Sequence, residues 1–284
     1  MLQEKIYTVS TTPYLKQVTV ITDTDIRPKG CVIYFHGGGL LYGDRDDLPQ
    51  LHKELFTQAG YAVWACDYPL APASILPEIM ESTLDSIRDY AEHAAERLGE
   101  KVPYFLFGRS AGAYLALMTA ASEGLAMKPS GVISFYGYGF FLDNWFMEPD
   151  PWYQKLPKVP ASILDHVSKE KHVSGALDPY YSLYVYARQT GAWKDLIYQG
   201  RDKFFYLDYT LRLKDSLGAP LFALHNTGDP DIPFGEFTEL CAKYPPKDRF
   251  IVAGDEHDFD RNESNPVVRM AFARMLAFMD SCLA

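Results

Sequence analysis

The chain has 284 residues, 48% of them apolar and 23% charged, with a net charge of −10 at neutral pH. That length and balance fit one large globular domain that buries its apolar surface without disulfides or metals. The acidic excess leaves no electrostatic footprint for nucleic acid, and no apolar run is long enough to span a bilayer.

The N-terminal residues show no basic stretch followed by an apolar core, so no secretory leader is expected and the cytoplasm is the expected location. The first strand is expected over Gln17 to Thr22, where Val18 and Val20 alternate with polar neighbours. Cys31 to Phe35 reads CVIYF, a continuous apolar run of the kind found in strands covered on both faces. His36-Gly37-Gly38-Gly39 follows it directly. A helix is expected from about Leu48 to Ala59, closed by Gly60, and then a buried strand over Tyr61 to Cys66. Asp67 to Pro72 is a proline-punctuated loop. Glu78 to Leu98 has the periodicity of a long amphipathic helix with Gly99 at its C-terminal end. Pro103 to Phe107 is a further strand, and a helix rich in Ala, Leu and Met begins at Gly108-Arg109-Ser110-Ala111-Gly112. Gly131 to Tyr136 is another short buried strand. Such alternation predicts a largely parallel sheet with helices on both faces.

The rhythm breaks from about 138 to 206, a stretch crowded with aromatic residues. It is expected to be a cap-like insertion within a single domain spanning 1–284, with a structural excursion as the alternative. The pattern resumes with strands at Pro220 to His225 and Arg249 to Ala253, and an amphipathic helix from about Pro266 to Leu283 closes the chain. The cysteines Cys31, Cys66, Cys241 and Cys282 lack the paired spacing of a zinc or redox site. Cys31 and Cys66 are expected as buried thiols.

The pentapeptide from Gly108 to Gly112 is a G-x-S-x-G set between a strand and a helix. A serine in that setting sits on a tight turn at a helix N-terminus, which favours developing negative charge. A plain helix cap is the competing reading of Ser110. A serine hydroxyl near neutral pH needs a base, and the base needs an orienting carboxylate. In this arrangement the chain order is serine, acid, histidine. Two late loops follow strands: Asn226 to Pro233 holds Asp229 and Asp231, and Gly254 to Phe259 holds His257. His257 is the expected base, since His225 precedes the acid. Asp229 is the expected acid; Asp231 is expected to brace the loop and stays the alternative. Asp255 and Glu256 are expected to tune the histidine. Gly37, Gly38 and Gly39, with Ala111, are expected to direct backbone N–H groups at an oxyanion, and His36 to support their loop. Arg109, Tyr138 and Trp145 are expected to contact substrate.

HGGG at His36 to Gly39, DYPLAP at Asp67 to Pro72, GRSAG at Gly108 to Gly112, GDPDIP at Gly228 to Pro233 and EHDF at Glu256 to Phe259 occur in this order. Together they resemble the α/β-hydrolase superfamily and, within it, the hormone-sensitive-lipase-like carboxylesterases and acetyl esterases. The resemblance covers about 30 to 283 and is weakest from about 138 to 206. It implies the α/β-hydrolase fold, a Ser110–Asp229–His257 triad, an oxyanion hole at the HGGG glycines, and hydrolysis of carboxylic esters through an acyl-enzyme. The aromatic, insertion-covered pocket adds an expectation of short acyl chains. The chain departs from the family's usual Arg at Pro69 and usual acidic residue at Arg109, and its main insertion lies mid-chain rather than at the N-terminus. A small-molecule ester is the expected partner, with no metal, cofactor, nucleic acid or membrane. The oligomeric state is open, a homodimer included. A peptidase or acyltransferase of the same fold, or a ligand-binding protein without turnover, are the competing functions.

Overall fold

The computed structural model describes residues 1–284. Eight strands form one sheet: β1 (Leu2–Ser10), β2 (Lys16–Asp23), β3 (Gly30–Phe35), β4 (Tyr61–Cys66), β5 (Tyr104–Arg109), β6 (Gly131–Phe135), β7 (Leu221–Asn226) and β8 (Asp248–Val252). Their spatial order is β1-β2-β4-β3-β5-β6-β7-β8. The β1–β2 and β2–β4 pairs are antiparallel, and every later pair is parallel. The helices are α1 (Gln50–Gln58), α2 (Leu76–Leu98), α3 (Ala111–Ala120), α4 (Ser182–Thr190), α5 (Trp193–Ile197), α6 (Asp202–Asp208), α7 (Phe234–Lys243) and α8 (Pro266–Leu283).

The central strands β3 to β7 are buried along their whole length, which explains their continuous apolar sequences. Side chains alternate across the sheet. Val32 and Tyr34 join the core shared with α1 and α8, whereas Cys31, Ile33 and Phe35 join the core shared with α2, α3, α7 and the middle segment. α3 is buried on every side, consistent with its AGAYLALMTA sequence. Gly99 ends α2 with φ of 84°, and the Asn265 side chain caps α8 by accepting from the Val267 N–H. Cys31 and Cys66 are free and buried.

β1, the helices of the middle segment and α7 are not among the expected elements. β1 is mostly exposed and held by backbone pairing to β2, so it carries no core pattern. The stretch expected as a cap-like insertion, about 138 to 206, contains α4 and α5 and most of α6. Its aromatic residues Tyr138, Phe141, Trp145, Phe146 and Trp193 pack on one another and, through Tyr138, on Tyr114 of α3. It is pinned to the loop after β3 by a Gly43–Gly175 bridge and by the Trp193 indole N–H, which donates to the Gly39 carbonyl at 2.8 Å.

Glu236, buried in α7, anchors the start of this segment. Its carboxylate accepts from the N–H groups of Gly139, Phe140 and Leu142 and from the Trp145 indole, at 2.7 to 3.2 Å. Glu236→Leu strands those donors away from water. It is expected to lower unfolding free energy by about 3–5 kcal/mol, read as an earlier urea midpoint.

Candidate active site

β5 runs into α3 through a turn that only glycine permits on either side of Ser110. A Cβ on Gly108 would lie 2.0 Å from the Gly112 carbonyl oxygen, and one on Gly112 would lie 2.0 Å from that of Phe35. Ser110 itself takes φ of 54° and ψ of −119°, a strained conformation for a residue with a side chain. The turn leaves the serine 7% exposed at the bottom of a cleft.

The Ser110 hydroxyl lies 2.9 Å from Nε2 of His257, and the other ring nitrogen, Nδ1, lies 2.7 Å from Oδ2 of Asp229. An ionised carboxylate only accepts, so Nδ1–H donates to Asp229 and the neutral ring presents the Nε2 lone pair to the serine. Asp229 Oδ1 accepts from the N–H groups of Asp231 and Ile232 at 2.8 and 2.9 Å, which fixes the carboxylate. The loops after β7 and β8 are joined: the Gly228 N–H donates to the Gly254 carbonyl, and the Asn226 amide to the Glu256 carbonyl, both at 2.8 Å. The Tyr136 ring stands 4.7 Å from the imidazole, edge to face.

Burial disfavours the His257 imidazolium, but the carboxylates of Asp229, Asp231 and Asp258 outweigh it and raise the pKa to about 9. Burial likewise opposes the Asp229 anion, and His257 outweighs it, holding that carboxyl below its ordinary range. His225 is pushed down to about 4 by burial and stays neutral, with Nε2–H donating to the Ile232 carbonyl at 3.1 Å.

The loop after β3 faces the same hydroxyl. The N–H groups of Gly37, Gly38, Gly39 and Ala111 donate to no protein acceptor. Gly38 has φ of +96°, and a Cβ there would meet the Tyr42 carbonyl oxygen at 2.1 Å; one on Gly39 would meet the Tyr184 ring at 2.2 Å. His36 lies buried beneath, its Nδ1–H donating to the Gly37 carbonyl at 2.8 Å, and Tyr68 donates to the His36 carbonyl at 2.8 Å. Unpaired donors beside a serine–imidazole pair are suited to stabilising charge on a carbonyl oxygen under attack.

The structure therefore brings Ser110, His257, Asp229, Gly37, Gly38, Gly39 and Ala111 together. Of the three expected substrate contacts, Arg109 lines the cleft, whereas Tyr138 and Trp145 lie outside it. The Arg109 guanidinium is buried, with Nε 2.9 Å from both the Tyr136 hydroxyl and Oδ2 of Asp260. Internal carboxylates, with Asp47 on its other side, claim that charge before a ligand does. Tyr138 stacks on Tyr114, and Trp145 turns its indole N–H to Glu236, so both belong to the aromatic core of the middle segment. The cleft wall comes instead from Tyr42, Tyr136 and Arg261, and from Trp152, Tyr153 and Tyr181 of the middle segment. The space at the serine is about 30 Å³ and adjoins a cleft of about 850 Å³. Asp231 does more than brace its loop: Oδ2 stands 3.6 Å from Nε2 of His257. Asp255 and Glu256 sit exposed at the cleft rim, while Asp258 acts on the imidazole. Asp231 is legible as the second acid of GDPD, whereas Arg188, whose guanidinium pairs with Oδ1 of Asp231, carries no local signal.

Residues 32–163 match a family described as alpha/beta hydrolase fold. An acetyl esterase of Salmonella paratyphi B is 30% identical over 109 residues, covering 38% of this chain and only 34% of the length of that relative. Among solved structures, an alpha/beta hydrolase superfamily protein from Enterococcus faecalis is similar with a TM-score of 0.83 at 26% identity, covering 98% of this chain and 99% of that one. A protein of unknown function from Staphylococcus aureus subsp. aureus Mu50 is similar with a TM-score of 0.81 at 26% identity, each chain covered in full at 100%. No helix of the chain is long and apolar enough to cross a membrane.

Proposed function

We propose, from a chain that belongs to the α/β-hydrolase superfamily, that this protein hydrolyses carboxylic esters of short acyl chains with Ser110 as nucleophile. The observation that carries the reading is the hydrogen-bonded series from Ser110 through His257 to Asp229 beside four unpaired backbone donors.

The Ser110 oxygen attacks the ester carbonyl carbon as His257 Nε2 takes its proton. The carbonyl oxygen becomes an oxyanion held by the N–H groups of Gly38, Gly39 and Ala111, with Gly37 adjoining. The C–O bond to the alcohol then breaks, and His257 returns the proton to the departing oxygen. The acyl group remains on Ser110 as an ester. Water, deprotonated by His257, attacks that ester, the C–O bond to Ser110 breaks, and His257 returns the proton to the departing serine oxygen as the carboxylic acid is released. Asp229 holds the ring in the required tautomer throughout. The confined space at the serine supports short acyl groups, and the wall supplied by Trp152, Tyr153 and Tyr181 supports a capping role for the middle segment. A series of p-nitrophenyl esters from acetyl to decanoyl tests this: kcat/KM falls as the acyl chain lengthens, and a rise toward decanoyl contradicts the short-chain assignment.

The pH profile follows from the raised imidazole. A protonated His257 cannot accept the serine proton, so activity is lost as pH falls through its folded pKa. The acid limb of kcat/KM is expected to have its midpoint near 9, well above that of an ordinary histidine. A pH series with p-nitrophenyl acetate, corrected for spontaneous hydrolysis, reads it directly.

A further inference from the structure

We propose that Arg188 is a positioning residue for the hydrolysis described above, on which this inference rests: through Asp231 it lets the middle segment hold a second carboxylate beside the edge of His257 that faces Ser110. Asp231 divides its two oxygens. Oδ1 accepts from the Tyr184 hydroxyl at 2.7 Å and pairs with the Arg188 guanidinium. Oδ2 stands 3.6 Å from Nε2 of His257, beyond hydrogen-bond reach, while the Ser110 hydroxyl lies at 2.9 Å.

Arg188 is itself immobilised. It is 1% exposed, its Nη2 meets Oδ2 of Asp150 at 2.7 Å, and it is covered by the faces of Trp145 and Tyr153 at 4.8 and 5.1 Å. It also donates to the Asp231 backbone carbonyl at 3.1 Å. All of these contacts except those to Asp231 come from the middle segment. A buried guanidinium held so firmly tethers the carboxylate and offsets its charge. Without it, Asp231 is free to turn toward Nε2, take the imidazolium proton donor away from Ser110 and stabilise the charged, inactive ring.

The other groups around the imidazole stay constant when Arg188 or Asp231 is changed. They are Asp229 and His225 from the β7 side, Asp258 and Arg261 from its own loop, Tyr136 after β6, Arg109 at the serine turn, and Tyr42 after β3.

The test is the acid limb of kcat/KM for p-nitrophenyl acetate in wild type, Arg188→Gln, Arg188→Lys, Asp231→Asn and the Arg188→Gln/Asp231→Asn pair. Alongside it, the His257 ring is titrated by NMR in a Ser110→Ala background. Arg188→Gln is expected to move the midpoint up by about one pH unit, and Arg188→Lys to bring it back toward wild type. Asp231→Asn is expected to move it down by a similar amount, with no further shift on adding Arg188→Gln. An unchanged midpoint in folded Arg188→Gln overturns the proposal. If that variant does not fold, Asp231→Asn decides, and an unchanged midpoint there overturns it equally. Absence of ester turnover in the wild type would defeat the hydrolase reading alone, because the ring titration still reports on Arg188 and Asp231.

Discussion

Ser110→Ala is expected to lower kcat/KM for p-nitrophenyl acetate by about 10⁴- to 10⁶-fold while leaving the fold intact. In the proposed mechanism the loss is large because one oxygen supplies both the attacking atom and the site of the acyl intermediate. Remaining turnover comes from the backbone donors and from substrate binding, which the substitution does not touch. The fold survives because the hydroxyl makes one side-chain contact, to Nε2 of His257. The turn is enforced by the close approaches at Gly108 and Gly112, and alanine bears the same φ of 54° as serine. Circular dichroism and the thermal midpoint of the variant should match wild type. Near-full activity in a folded Ser110→Ala protein would remove this serine from the chemistry.

The second large effect separates the two candidate acids. Asp229→Asn is expected to cost about 10⁴-fold in kcat. The Asp231 and Ile232 N–H groups, which donate to Oδ1 of the native carboxylate, keep the amide oxygen on their side and turn its NH₂ to the ring. Nδ1 must then accept, the ring proton moves to Nε2, and His257 no longer presents its lone pair to Ser110. Asp231→Asn leaves Nδ1 and its partner untouched, so its signature is a displaced acid limb rather than this collapse in kcat. Steady-state kinetics on the alkaline plateau distinguishes them, and equal collapse in both variants would mean that the acid role is not Asp229's alone.

How far the sequence could be read follows from the range of the forces involved. The central strands were legible because burial on both faces demands uninterrupted apolar runs such as CVIYF and YAVWAC. The serine turn was legible because its steric demand falls within five consecutive residues. β1 was not, since an edge strand held by backbone pairing needs no apolar stripe. Helix α7 was also missed, its short amphipathic pattern lying beside a loop read for its acids. Arg109 looked like a charge for the pocket because nothing local announces Asp260 and Asp47 as its partners. Tyr138 and Trp145 looked like cleft walls for a related reason: an aromatic residue in an insertion serves a satellite core or a ligand equally well until its neighbours are known. Arg188 pairs with Asp150 and Asp231, residues remote in the chain, and only the folded arrangement links it to His257.

The central claim is that Ser110 is made nucleophilic by His257 in the folded protein. Stoichiometric labelling with a fluorophosphonate, followed by peptide mass spectrometry, tests it without choosing a substrate. One adduct per chain, on the peptide carrying Ser110 and absent from both Ser110→Ala and His257→Ala, is the predicted result. No adduct on the folded wild-type protein, or one that persists in Ser110→Ala, would contradict it.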